Sequence, residues 1–154
     1  MSWIIDLLSN QFLITSLSSW FIAQILKVFI NAWVNKEFDW KRLIGDGGMP
    51  SGHSATVSSL ALMIGLVYGL DSYQFAIAGI LAVIVCHDAT GVRRETGKQA
   101  VIINDILDMF ERAKMGYSPE ITLKEFVGHT PLQVTAGILI GIANALFMYF
   151  MVFR

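Results

Sequence analysis

Apolar residues gather in four long blocks, separated by charged or turn-forming segments. A bilayer core is crossed by about 20 residues of helix. The first block, 12 to 34 ("FLITSLSSWFIAQILKVFINAWV"), meets that length with one lysine, Lys27, inside it. The second runs from 54 to 70, the third from 73 to 86 and the fourth from 131 to 153. Only Asp71 and Ser72 separate the second from the third, which predicts a tight helical hairpin. The third is short for a crossing unless His87 to Gly91 also lie within the protein interior. Residues 1 to 10, "MSWIIDLLSN", predict an interfacial helix with Trp3 near the headgroups.

Between the third and fourth blocks the pattern changes. "RRETGKQAVIINDILDMFERAKMG" reads as a helix that stops at Gly116, and Ser118 with Pro119 reads as the start of another. Both are expected to lie along the membrane surface or to fold back beneath the bundle. The expected fold is all-α: a polytopic membrane helical bundle with about four transmembrane helices plus interfacial helices, in a single domain over 1–154.

Composition agrees. Hydrophobic residues make up 55% of the 154 and charged residues 15%, against roughly one-quarter charged in soluble domains. The net charge of −1 gives no reason to expect a nucleic-acid partner. Cys86, the one cysteine, sits in an apolar run and reads as a small buried hydrophobe. No basic stretch precedes the first block, so a removable signal peptide is not expected.

Charge also sets an expected sidedness. Lys36, Lys41 and Arg42 precede the second block, and Arg93, Arg94, Lys98, Arg112, Lys114 and Lys124 lie between the third and fourth. The positive-inside rule puts both segments in the cytoplasm of a multi-pass protein of the cell membrane.

Polar residues at a membrane edge need a reason. Lys27 either snorkels to the headgroups or turns inward towards an anion. "GGMPSGH" places Ser51, Gly52 and His53 at the start of the second block. A helix start offers free N–H groups and the positive end of the dipole to an anion, although Ser51 or Ser54 could simply cap it. "CHDATGVRRETGKQ" carries His87, Asp88, Arg93, Arg94 and Lys98. If helical throughout, it puts His87, Arg94, Lys98 and Asp105 on one face. "GHTP" places His129 before the fourth block, with Thr130 and Pro131 suited to N-cap and N1. Arginine grips phosphate by bidentate hydrogen bonds, and histidine serves as nucleophile or acid near neutrality. No H-E-x-x-H, paired cysteine or acidic triad is present, so neither a metal nor another cofactor is expected. Gly137 and Gly141 form a GxxxG that brings helices close, either inside one chain or in a homo-oligomer.

"GGMPSGHSA", "DATGVRRETGKQA" and "GHTPLQV", in that order, resemble a divergent, small bacterial membrane branch of the phosphatidic acid phosphatase type 2 and vanadium haloperoxidase superfamily. The resemblance implies that Ser51 and Gly52 bind phosphate and that His53 protonates the leaving group. It puts Arg93 or Arg94 on the phosphate as well. The superfamily's nucleophilic histidine has Gln99 in its place when counted from Arg93, and Ala100 when counted from Arg94; Gln99 is expected among the phosphate-binding residues. His129 is expected to supply the nucleophile with His53 as acid, or the two in exchanged roles, with Asp88 orienting a histidine or an arginine and Lys27 neutralising the anion. The implied activity is hydrolysis of a lipid phosphate or pyrophosphate of isoprenyl or phosphatidic type. A non-catalytic lipid-phosphate binder or transporter is the alternative.

Overall fold

A computed structural model describes residues 2–36, 48–113, 123 and 128–153. The described residues form six α-helices and no strand. They are α1 (Ser2–Leu8), α2 (Gln11–Asn35), α3 (Gly52–Tyr68), α4 (Tyr73–Thr90), α5 (Val92–Arg112) and α6 (Pro131–Phe147), with a π-helical turn over Met148–Phe153 closing the last. The four apolar blocks are α2, α3, α4 and α6. The expected all-α membrane architecture is therefore present, and α1 stands where the interfacial helix was expected. By length and composition α2 and α6 can cross a bilayer, as can the run that α4 begins; α3 is a shorter apolar helix.

Each apolar helix starts on a side-chain cap. Asn10 Oδ1 accepts from the backbone N–H groups of Phe12 and Leu13, Ser51 Oγ from Ser54, Ser72 Oγ from Phe75 and Thr130 Oγ1 from Gln133. The first N–H groups of any helix lack intrahelical partners. In hydrocarbon, where water cannot substitute, leaving them bare is costly.

The hydroxyls inside the blocks are satisfied locally. Thr15, Ser16 and Ser19 donate to the carbonyls of Gln11, Phe12 and Thr15. Thr56, Ser58 and Ser59 donate to those of Gly52, Ser54 and Thr56. A serine bonded back to its own helix asks little of its surroundings. Such residues can sit in a membrane span without forming a site.

Helix α3 is the centre of the bundle and packs against α2, α4 and α6. Its buried positions are mostly small: Gly52, Ser54, Ala55, Ser59, Ala61 and Gly65, with Met63 as the large exception. Helix α6 lies closest. A Cβ on Gly137 would run into the carbonyl oxygen of Ser51, and one on Gly141 into the Ser58 hydroxyl and the Ala55 carbonyl. The GxxxG face is thus filled by α3 of the same chain. Asn144, buried one turn further along, donates its amide to the Thr15 carbonyl at 3.1 Å and to Ser18 and Ser19 at 2.9 and 2.8 Å. This ties α6 to α2. Ile77, Ile80, Val83 and Ile84 of α4 face outwards, as lipid-facing residues should.

One expectation fails. The chain is not a single straight helix through "CHDATGVRRETGKQ". Gly91, with φ −96° and ψ −97°, ends α4 and begins α5. The common face drawn through His87, Arg94, Lys98 and Asp105 therefore does not exist. The third block does continue to Thr90, which gives α4 18 residues. In α5, Glu95 and Lys98 pair on the exposed side at 2.6 Å. Asn104 holds Leu123 through two backbone hydrogen bonds of 2.9 and 3.0 Å. The stop at Gly116 and the helix start at Ser118 and Pro119 lie outside the described residues.

Candidate active site

The inner part of α2, the starts of α3 and α6, and the end of α4 meet at one end of the bundle. Two backbone hydrogen bonds fix the meeting. Ser51 donates its N–H to the Gln133 carbonyl at 3.0 Å, and His129 donates its N–H to the Ala89 carbonyl at 2.9 Å. The first joins the start of α3 to the first turn of α6. The second joins the residue before the α6 cap to the last turn of α4. The absent Cβ of Gly137 makes the first possible, since Ser51 occupies that space.

This arrangement brings the rings of His53 and His129 to a centroid separation of 6.4 Å, inclined at 59°. His53 is exposed on the first turn of α3, and His129 is 5% exposed. Lys27 is 4% exposed, so its ammonium is turned into the protein and does not snorkel to the surface. Gly48, with φ +83°, packs against the Lys27 stem, and a Cβ there would lie 3.4 Å from Lys27 Cγ. The left-handed backbone at that position favours glycine.

The α6 capping box determines which nitrogen of His129 carries the proton. Gln133 Oε1 accepts the Thr130 N–H at 3.0 Å, which identifies the amide atom at that place as oxygen. The same oxygen lies 3.2 Å from His129 Nδ1. An oxygen cannot donate, so Nδ1 must, and the lone pair of the neutral ring falls on Nε2. Burial holds the His129 pKa below its ordinary 6.5. The positive Lys27 and the neighbouring His53 push in the same direction, against the Gln133 bond and the Gly48 backbone. The depressed pKa favours the neutral imidazole, with Nδ1 as the donor to Gln133.

Two cavities flank this cluster. One, of about 350 Å³, has Lys27, Asn31, Gly48, Thr130 and Gln133 in its wall, with Ile30, Val34, Met49 and Leu132. The other, of about 410 Å³, is an apolar groove formed by Leu17, Trp20, Thr56, Val57 and Val85, with His53 at its margin. The first mixes polar and apolar side chains, and the second is mostly apolar.

The remaining candidates are spread more widely. Ser51 and Gly52 are buried at the α3 start, where the Ser51 hydroxyl accepts from both the N–H and the hydroxyl of Ser54. Asp88 is half-buried in the last turn of α4. Arg93 and Arg94 lie in the first turn of α5; Gln99 is exposed on the same helix. Gln133 and Gln24 were not singled out by sequence. The Thr130-x-x-Gln133 spacing was a legible capping-box signal. Gln24 carried none.

A buried lysine, a buried histidine just before α6 and an exposed histidine on α3, gathered at one end of an apolar bundle, describe a membrane protein with a polar site at that end. The chain belongs to the Divergent PAP2 family, whose profile matches residues 8–144. It is also 42% identical over 146 residues to the uncharacterized membrane protein YuiD of Bacillus subtilis (strain 168), covering 89% of this chain and 92% of that one. No solved structure matches the chain.

Proposed function

We propose that this PAP2-like membrane protein is a phosphatase acting on a lipid phosphate or pyrophosphate reached from the cytoplasmic leaflet. The observation that carries the reading is the pairing of a neutral, buried His129 with His53 across 6.4 Å. In the proposed reaction Nε2 of His129 attacks phosphorus, and the bond to the leaving oxygen breaks as His53 gives that oxygen a proton. Lys27, the amides at the α3 start and Arg93 or Arg94 offset the negative charge. Water then cleaves the phosphohistidine, releasing phosphate and restoring the imidazole. Asp88 orients a charged partner, and Gln99, exposed on α5, adds a polar contact to the phosphate.

The apolar groove beside His53 supports a lipid leaving group, because a hydrocarbon chain attached to the departing oxygen would lie against Leu17, Trp20 and Val57. The cytoplasmic assignment is supported by the basic residues of the sequence between α2 and α3 and between α4 and α6. The absence of histidine at Gln99 or Ala100 favours a second reading, a binder or carrier of lipid phosphates without turnover.

Phosphate release by the purified protein separates the two. Phosphatidic acid and isoprenyl pyrophosphates are the substrates to offer, with His53→Ala and His129→Ala as controls. Turnover by wild type that falls by ~10²-fold or more in each variant is expected. Binding of the same lipids with no phosphate released would replace the phosphatase with the carrier.

A further inference from the structure

Gln24 stands out from the other polar residues in the membrane blocks. It is 6% exposed, and its Oε1 is buried with no hydrogen-bond partner. The serines and threonines around it bond back to their own helices; a glutamine oxygen on a longer side chain does not. An acceptor stranded in this way costs about 1–3 kcal/mol in a protein interior. Nothing in the packing compensates for it.

The position of the side chain gives it a use. Gln24 lies between Trp20 and Lys27 on the α2 face that meets the start of α3. Its carboxamide carbon is 3.8 Å from where a Cβ on Gly52 would stand, and Trp20 Cδ1 is 3.2 Å from that point. Gly52 immediately precedes His53. The Gln24 side chain therefore lies against the turn that carries the proposed acid, one helical turn from Lys27 on α2.

An unpartnered acceptor calls for a donor. A phosphate held beside the Lys27 ammonium is favoured as the dianion, which has no proton to give, and the ether, ester or bridging pyrophosphate oxygens of a lipid phosphate have none either. The reactant of a hydrolysis that carries O–H groups is water. We propose that Gln24 Oε1 positions the water that cleaves the phosphohistidine; this inference rests on the phosphatase reading above. The water oxygen forms the new bond to phosphorus and the phosphorus–Nε2 bond of His129 breaks. One water proton passes to His53, which gave up its proton in the first step, and the other stays hydrogen-bonded to Gln24. Orthophosphate and a neutral His129 are left. The orphaned oxygen is thus a site for a transient reactant, and its cost to the resting fold is the cost of keeping that site open.

The test uses the full-length protein in detergent and the isosteric Gln24→Met variant, with radiolabelled phosphatidic acid and isoprenyl pyrophosphate. Phosphohistidine is trapped by alkaline quench alongside steady-state phosphate release, and thermal unfolding is followed on the same samples. Gln24→Met should form phosphohistidine as fast as wild type, accumulate it, and release phosphate about tenfold more slowly or worse. It should melt no lower than wild type, because an unpaired polar atom has been removed. Wild-type phosphate release by the variant would overturn the inference and leave the phosphatase standing. So would parallel loss of phosphohistidine and turnover, or a lower melting temperature without accumulation, which would give Gln24 a structural role. Wild type that forms no phosphohistidine would overturn the covalent mechanism itself, and the inference with it.

Discussion

Ser51 donates its backbone N–H to the carbonyl of Gln133 at 3.0 Å, so the first turn of α3 hangs directly on the first turn of α6. Helix starts seldom approach so closely, because side chains hold their axes apart. Here Gly137 leaves the space, and the Ser51 carbonyl fills it. Replacing Gly137 with alanine drives a methyl into backbone, which cannot rotate away. Gly137→Ala should lose about 1–3 kcal/mol of stability, read as a lower melting temperature in detergent. It should also lose function, since the two histidines are placed by these same two turns. A fully stable, fully active Gly137→Ala would show that the helices separate without consequence.

Gln133 caps α6 and holds the His129 ring with the same oxygen. Gln133→Leu removes the acceptor that keeps the proton on Nδ1. The ring can then place its proton on Nε2, the nitrogen proposed to attack. Turnover is expected to fall by about tenfold or more. Binding of substrate should change less than kcat, and kinetics on the purified variant will show the split.

The depressed pKa of His129 has a calculable sign. Burial is the main cause, with Lys27 and His53 adding to it. Below its ordinary 6.5 the unfolded chain takes up a proton that the folded site resists. Stability from this group is therefore complete above about pH 6.5 and is lost as pH falls through the lower folded value. Activity should follow the neutral form, so the acid limb of kcat/KM lies below pH 6.5. Lys27→Met removes a neighbouring positive charge and should move that limb to higher pH, whatever it does to the maximal rate. A limb that stays in place would mean the titrating group is not His129.

Asn144 reaches three acceptors on α2, the Thr15 carbonyl and the hydroxyls of Ser18 and Ser19. Interhelical polar contacts in membranes are worth about 0.6 kcal/mol on average, with a maximum near 1.7. Asn144→Leu should accordingly cost about 1 kcal/mol in detergent unfolding. The two histidines lie at the opposite end of α6, so the variant should keep their activity once folded.

How far the sequence was legible depends on whether a feature is local. Four apolar blocks were readable because the bilayer demands a length, and length is a property of the chain alone. The caps at Ser51 and Thr130 were readable because an N-cap is satisfied within its own turn. The orientation of Lys27 was not. Snorkelling and burial suit the same position on a helix, and only Gly48 and the neighbouring cavity wall decide between them. The face through His87 and Arg94 failed because one dihedral pair at Gly91 turns the chain, and a glycine inside a helical pattern does not announce which way it will act. Gln24 looked like one more polar residue in a span. Its lack of a partner belongs to a packed setting made with Gly52, on a different helix and far along the chain.

The hydrogen bonds that assemble the histidine pair have a bearing on biogenesis. The partners of Ser51 and Ala89 both belong to residues 129 to 133, which are made after every other helix of the bundle except the one they begin. Until α6 enters the bilayer, Ser51 lacks its carbonyl and His53 lacks its counterpart. The histidine pair is therefore incomplete at every earlier stage of synthesis and comes together only once the start of α6 has been made.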